Sequence, residues 1–401
     1  MKLVERHIIN NDHIYYDECD NLCFLSKNLY NQGLYNVRQY FFENKKYLNY
    51  NSNYHITKES KSYQDLPTKV SCQILKLVDQ NFKSFFGLLK KNNNVRIPKY
   101  LDCEDGRFIT KYPKQALGLR EFKKTGEILL SKSNIRIKTK ITDFSSLVEV
   151  RIIPRNGYYV IEVVYEKNEK INNNTLISSI DVGLNNLATV TFTNGNTPFI
   201  VNGKPLKSIN QYYNKKKSRL KSELEKKQKR KKSKKLLKLD FKRNNKINDY
   251  LHKASRLLVN QLVSNNVGQL VIGKNTGQKQ DINIGKVNNQ NFVQIPTFKF
   301  LNMVCYKAKM EGINVIWQEE SYTSKASFLN LDFIPKYGEN NDVVFSGYRQ
   351  SRGLYKIKNS KIIINADVNG SYNILRKAIP NVFTNGIEGF GVNPLVLVPQ
   401  R

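Results

Sequence analysis

The sequence predicts a multidomain protein of the α+β class. Its 401 residues exceed the usual size of one domain, and a hydrophobic share of 40% is enough for globular cores. The first half combines helical patterns with short strands that are joined by a hairpin signal. The second half begins with strands and then alternates helices and strands, which is typical of a sheet with helices packed on its faces.

The first half is predicted to be a β-module with a helical insertion. Residues 1–10 fit an edge strand, and apolar residues recur at helical spacing in 22–42 and 67–90. Asn156-Gly157 is a two-residue hairpin signal between two strand patterns. The predicted strands, which suggest a small β-barrel or sandwich, are Ile128–Leu130, Ile135–Lys138, Val148–Ile153 and Tyr158–Tyr165.

The second half has the element order of a ribonuclease H-like fold. Two strands meet at Asp181 and Gly183, and Gly183 would let a phosphate backbone approach closely. The later predicted elements are a strand at 199–201, a long helix or helical pair at 212–248, an amphipathic helix that continues it at 251–263, a strand at 269–272, a helix at 296–310, a strand at 313–317 and a last helix at 369–377.

The charge of the chain predicts a polyanionic partner. The formal net charge is +33, and residues 226–232 are almost all Lys or Arg, so these cations repel one another unless a polyanion neutralises them. A helix that contacts nucleic acid is therefore favoured over a merely solvated helix face. The candidate nucleic-acid-binding residues are Lys215, Lys216, Arg219, Lys226, Lys227, Arg230, Lys231, Lys274 and Lys279.

No membrane partner and no disulfide framework are expected. The chain has no apolar run of spanning length, and its first residues lack a signal-peptide core, so we expect a cytoplasmic protein. The five cysteines are scattered, which predicts reduced thiols and no zinc site.

Two carboxylates stand where a nuclease of this fold needs them. Cleavage of a phosphodiester with two metal ions needs carboxylates from the first strand, from a later parallel strand and from the start of the last helix. Asp181 fits the first place and Asp367 the last. Taken alone, each residue also fits a structural role, as an ordinary strand end and as a helix cap.

Three segments resemble the TnpB family, the RNA-guided nucleases of insertion sequences that are related to compact type V CRISPR effectors and to Fanzor. They are Ile180–Ala188, Leu147–Tyr165 and Asn365–Ile374. The resemblance implies a wedge β-barrel (1–10 and 95–172), an inserted helical recognition domain (11–94), a RuvC nuclease domain (173–380) and a C-terminal tail (381–401).

The resemblance also implies the activity and the partners. The protein would bind a guide RNA from the end of its own element, as a monomer or as a homodimer on one RNA. It would cut guide-matched double-stranded DNA beside a short flanking motif, with two Mg²⁺ ions that Mn²⁺ replaces. The host would be a prokaryote or a phage, with the protein on the nucleoid.

One departure from the family pattern concerns the middle carboxylate. Lys274 stands near the place of the usual catalytic Glu, at the end of the fourth strand. Relatives with a relocated glutamate imply that Glu320, after the fifth strand, is the third ligand, with Glu319 in reserve. Adjacent strand residues point to opposite faces, so only one of the two should face the metals. The alternative is a nuclease-dead, RNA-guided DNA-binding protein that acts as a repressor.

A second departure concerns the zinc ribbon that the family usually carries before the last Asp. Ser327 stands where its first Cys would be, and no Cys follows Cys305. We therefore predict for residues 321–360 a degenerate, metal-free ribbon held by apolar packing.

Overall fold

The chain forms two compact units, Met1–Asn168 and Glu169–Arg401. The computed structural model describes residues 1–92, 94–183, 185–228, 233–274, 295–338, 343–351, 353–384, 386–387 and 389–399. Within these ranges, no helix combines the length and the apolar character that crossing a bilayer requires.

The first unit contains an antiparallel sheet, a two-stranded ribbon and a group of helices. Its elements are β1 (Lys2–Ile9), α1 (Tyr16–Asn44), α2 (Tyr50–Thr57), α3 (Lys61–Gln64), α4 (Thr68–Leu89), β2 (Thr110–Pro113), α5 (Leu119–Thr125), β3 (Glu127–Leu129), β4 (Arg136–Lys138), β5 (Leu147–Arg155) and β6 (Tyr158–Glu166). The sheet has the order β1-β6-β5-β2, and β3 pairs with β4.

The helices α1 to α4 lie between β1 and β2 in the chain and pack through their apolar faces. The predicted stripe of α4, including Val70, Ile74, Val78 and Phe82, is fully buried. Gly33 of α1 allows a close approach, because a Cβ there would lie 2.7 Å from a methyl carbon of Leu75. The polar connection between the two predicted helices is itself helical, as α2 and α3.

The second unit is built around a six-stranded sheet. Its elements are β7 (Leu176–Asp181), β8 (Asn186–Phe192), β9 (Phe199–Asn202), α6 (Lys204–Gln228), α7 (Lys234–Ser264), β10 (Val267–Lys274), α8 (Thr297–Met310), β11 (Asn314–Glu319), β12 (Gly347–Ser351), β13 (Leu354–Ile357), β14 (Ile363–Asn365), α9 (Ala366–Ala378) and β15 (Leu395–Leu397). The strand order of the large sheet is β11-β10-β7-β8-β9-β15, and β12, β13 and β14 form a separate small sheet.

Alternation along β10 shows the layering of this sheet. Leu270 and Ile272 join a core with residues of α7 and α8, whereas Val271 joins a second core with α9. The sheet thus lies between helices on both faces. The segment expected as a C-terminal tail adds β15 to the sheet, because Leu395 pairs in parallel with Phe199 of β9.

Strand direction places several strand ends at one edge. The strands β7, β10 and β11 are parallel, with Ile272 beside Ile180 and Lys274 beside Glu319. The carboxyl ends of these three strands therefore meet. In open α/β sheets, ligands bind outside the carboxyl ends of the strands.

Candidate active site

Asp181 ends β7 at this edge, and α9 packs directly on its carboxylate. A Cβ on Gly370 of α9 would lie 2.6 Å from Oδ2 of Asp181, so only a glycine leaves the carboxylate its place. The pKa of Asp181 is raised well above its ordinary value, first by burial and then by the negative charges of Glu320 and Asp367. The structure thus brings these three predicted residues into electrostatic contact.

Glu320 follows β11 directly and faces the same side of the sheet as Asp181. A Cβ on Gly273 would lie 2.6 Å from Oε2 of Glu320, so a second glycine makes room for a second carboxylate. That oxygen is buried and has no hydrogen-bond partner among the described residues. Burial, followed by the charge of Glu319, raises the pKa of Glu320 to about 7.

Glu319 has a different environment. Its side chain is 43% exposed and accepts a hydrogen bond from Nζ of Lys377 at 2.6 Å. It also accepts hydrogen bonds from the backbone N–H and the hydroxyl of Ser321. Burial opposes ionisation, but the bonds from Lys377 and Ser321 prevail and lower the pKa of Glu319.

Asp367 lies in the first turn of α9, where the helix dipole favours an anion. Asn365 caps this helix, since its Oδ1 accepts from the N–H groups of Asp367 and Val368. The Asp367 carboxylate accepts from Nδ2 of Asn186 at 2.6 Å and from Nη2 of Arg349 at 2.9 Å. Asp367 is therefore a ligand candidate whose oxygens are engaged by protein donors, and not a helix cap.

The donor set suits a divalent cation. Carboxylate oxygens are the ligands that Mg²⁺ and Mn²⁺ prefer, and an orphaned buried carboxylate oxygen at Glu320 is the kind of atom that an ion satisfies. In the described residues, no three Asp, Glu, His or Cys side chains have ion-binding spacing as they stand. The guanidinium of Arg349 balances the negative charge of the Asp367 carboxylate.

The structure also describes Gly183 and Lys274 at this edge. A Cβ on Gly183 would lie 2.8 Å from the carbonyl oxygen of Asn186, so the turn itself requires a glycine there. Lys274, a predicted nucleic-acid-binding residue, is exposed. Its Nζ lies 5.9 Å from the ring centroid of Trp317.

The predicted basic stretch is a helical pair that encloses a groove of about 870 Å³. Lys216 and Arg219 line it from α6, while Lys215 and Lys226 are exposed elsewhere on that helix. The sequence prediction missed the cations of α7 that complete the groove, although their helical spacing was visible: Lys235, Lys238, Lys242, Arg243 and Lys246. Arg230, Lys231, Lys279 and the side chain of Lys227 lie outside the described residues.

The insert between β11 and α9 is tied together by a carboxylate. Asp332 accepts from the backbone N–H groups of Ser327 and Ser346, at 2.8 Å and 3.0 Å, and from the Ser346 hydroxyl. The prediction of apolar packing is therefore only partly right. Phe328 and Tyr355 are buried, but other aromatic residues of the insert are exposed: Phe333, Tyr337 and Tyr348.

Arg349 and Asn186 are site residues that the sequence analysis did not identify. Arg349 lies on β12, and the small sheet β12-β13-β14 leads directly into α9 and hence to Asp367. No local motif marks this arginine, because only the pairing of the three strands brings it to the site. Asn186 follows Gly183 by three residues, and its role depends on the turn between β7 and β8.

The mixed α/β multidomain fold resembles that of a solved Cas12f1 structure. A solved structure described as the Cas12f1-sgRNA-target DNA complex superposes with a TM-score of 0.58 at 15% identity, over 90% of this chain and 82% of that one. Two family models also match: one described as "Probable transposase" (OrfB_IS605) at residues 159–279, and one described as "Cas12f1-like, TNB domain" at residues 298–374.

A TnpB-like protein of Methanocaldococcus jannaschii is 26% identical over 178 residues, which are 43% of this chain and 57% of that protein. The chain thus spans little more than half of this curated relative. Together with the two family matches, this similarity supports the resemblance of the chain to the TnpB family.

Proposed function

We propose that this chain is an RNA-guided DNA endonuclease of an insertion sequence, which cuts guide-matched double-stranded DNA beside a short flanking motif. One observation carries the proposal. Asp181, Glu320 and Asp367, drawn from distant parts of the chain, meet at one sheet edge, and a buried oxygen of Glu320 has no partner there. The family relationship supports the same reading.

In the proposed mechanism, Asp181, Glu320 and Asp367 would hold two Mg²⁺ ions, for which Mn²⁺ would substitute. When bound, such ions would supply an activated water and charge stabilisation at the phosphate. Asn186 orients Asp367 through its hydrogen bond, and Gly273 and Gly370 leave space for the other two carboxylates. Glu320, whose pKa is about 7, gives up its proton when it binds cation.

The groove between α6 and α7 is proposed to hold nucleic-acid backbone. Its cations line one continuous cleft, and Tyr212 and Tyr213 lie among them. Phosphate contacts position a nucleic acid without reading its sequence, and base pairing with the guide supplies specificity in RNA-guided systems. We assign the reading of the flanking motif to residues 1–130, and the cutting of DNA to residues 173–380.

The proposal is tested with the full chain, co-expressed with the RNA of its element end and given a plasmid library of randomised flanks. Cleavage should need Mg²⁺ and should disappear in Asp181→Ala and Glu320→Gln. Glu319→Gln is the matched control, one residue away, and should still cut. Cleavage that survives Asp181→Ala would disprove the assignment.

A nuclease-dead repressor is the second candidate. It is favoured by Lys274, at the usual place of a catalytic glutamate, and by the pairing of Asp367 with Arg349. It predicts guide-dependent binding of the target plasmid with no cleavage at any Mg²⁺ concentration. A gel-shift assay run beside the cleavage assay separates the two candidates.

A further inference from the structure

An exposed aromatic pair lies beside the candidate active site. Trp317 of β11 and Phe298 of α8 are 36% and 62% exposed, and their ring centroids are 6.3 Å apart. Neither ring belongs to a hydrophobic cluster of the described residues. Nζ of Lys274 lies 5.9 Å from the centroid of the Trp317 ring. The three side chains form an exposed aromatic surface with a cation at its margin.

The position of this surface relates it to the carboxylates. Trp317 pairs with Ile272 on β10, and the next residue, Gly273, contacts Glu320. Along β11, Trp317 precedes Glu320 by three residues, a distance of about 10 Å. Trp317 lies on the α8 side, where its ring is near that of Phe298. Glu320, which follows β11, lies on the α9 side, because its Oε2 and a methyl carbon of Ile374 both border Gly273. Since β11 is the edge strand of the described sheet, a polymer that passed round this edge would be able to reach both side chains.

We propose that Trp317, Phe298 and Lys274 form a stacking platform for unpaired bases of the DNA strand that is delivered to the carboxylates. The proposal rests on the proposed function. Aromatic faces accept any base, whereas the bases of a duplex are already stacked on one another. The adjacent Lys274 and the net charge of +33 favour a polyanion over an apolar partner.

Trp317 is the single tryptophan of the chain, so its emission reports this surface directly. The probe is a twelve-residue oligothymidylate, added to the purified full chain in EDTA so that no cleavage occurs. We expect the single strand to quench Trp317 emission strongly and a hairpin duplex of equal charge to quench it much less. Binding is followed independently by the anisotropy of labelled oligothymidylate.

Substitutions distinguish stacking of bases on Trp317 from non-specific electrostatic attraction of the oligonucleotide. Trp317→Ala should weaken oligothymidylate binding about tenfold, equal to about 1.4 kcal/mol, within the range for one stacked base. Trp317→Phe keeps a ring and should bind nearly as wild type does, which also controls for folding. Tyr337→Ala, which removes an aromatic side chain that is 83% exposed on the insert, should change nothing.

Several results would overturn the platform. It is wrong if oligothymidylate binds without changing Trp317 emission, if Trp317→Ala binds as wild type does, or if duplex quenches equally. Preference for oligouridylate over oligothymidylate would overturn the choice of DNA. If wild type does not cleave DNA but Asp181→Ala still shows quenching, the proposed nuclease activity is wrong and the proposed stacking platform is retained.

Discussion

Replacing Glu320 with Gln should stabilise the ion-free protein while abolishing its reaction. In the ion-free fold the carboxyl is buried, and one of its oxygens has no partner. Its pKa rises from the ordinary 4.5 to about 7, chiefly through burial. Since a tenfold change in proton affinity is worth about 1.36 kcal/mol, ionising this group in the fold costs about 3 kcal/mol. Gln keeps the shape and avoids that cost.

The sign of the pH dependence follows from the same shift. A folded-state pKa above the unfolded value means that the folded protein binds more protons between pH 4.5 and 7. Stability therefore falls as pH rises through this window. The raised pKa of Asp181 acts in the same direction. The advantage of Glu320→Gln should be absent below pH 4.5 and complete above pH 7.

The assay is thermal unfolding at pH 5 and pH 8, with EDTA and then with Mg²⁺. For a unit of this size, about 3 kcal/mol corresponds to a Tm rise of roughly 6–10 °C at pH 8. Mg²⁺ should raise the Tm of wild type, because a ligand that binds only the folded state stabilises it, and should leave the variant unchanged. Glu319→Gln, whose carboxylate is 43% exposed, should shift stability by less than about 1 kcal/mol.

The reasoning is refuted if Glu320→Gln melts at or below the wild-type temperature at pH 8 without ions. In that case burial of the ionised Glu320 carboxylate would not destabilise the fold. If Glu319→Gln loses cleavage and Mg²⁺ stabilisation while Glu320→Gln keeps both, the ligand has been assigned one residue off.

Three further substitutions test other parts of the site. Gly370→Ala should weaken Mg²⁺ binding at least tenfold, because its Cβ would meet Oδ2 of Asp181 at 2.6 Å and displace that carboxylate. Gly87→Ala, where a Cβ meets nothing within 4 Å, should stabilise its helix by about 1 kcal/mol and leave Mg²⁺ binding unchanged. Arg349→Met should lower the Mg²⁺ concentration that gives half of the maximal Tm rise by up to about fivefold. The half-exposed ion pair between Arg349 and Asp367, worth at most about 1 kcal/mol, would no longer compete with Mg²⁺ for the carboxylate. Asp332→Ala should cost about 2 kcal/mol in denaturant unfolding.

Each of these outcomes has a clear contrary result. Unchanged Mg²⁺ binding in Gly370→Ala would show that α9 yields to the added methyl group. A higher Mg²⁺ requirement in Arg349→Met would mean that the arginine assists ion binding rather than competing with it. If Asp332→Ala is as stable as wild type, the Asp332 carboxylate does not hold the insert together.

Local pattern predicted the elements that position the site. The stripe of α4, the strand ends at Asp181 and near Glu320, and the helix start at Asp367 all have short-range signals, namely apolar period and turn residues. Strand direction accounts for the shared edge of Asp181 and Glu320, because parallel strands end at one edge, whereas Asp367 reaches it in the first turn of α9. Their roles as metal ligands stay a prediction.

Features that depend on tertiary approach could not be read from the sequence. Gly370 leaves room for the Asp181 carboxylate, and Gly273 leaves room for that of Glu320. The spacing of apolar residues in the sequence does not indicate these contacts. The same holds for Arg349, which reaches Asp367 only through the pairing of β12, β13 and β14. The strand β15 was missed because an edge strand of three residues has too short a pattern to stand out.

The carboxylate junction of the insert has a practical consequence for handling the protein. Ser327 and Ser346 are joined through Asp332 by peptide and hydroxyl donors, a linkage that chelators and thiol reagents do not attack. Sequestering divalent ions should thus halt the chemistry while leaving the scaffold assembled. Under the proposed function, adding Mg²⁺ back would restart cleavage in the same folded molecules. A time course would then begin with every molecule already bound to RNA and DNA.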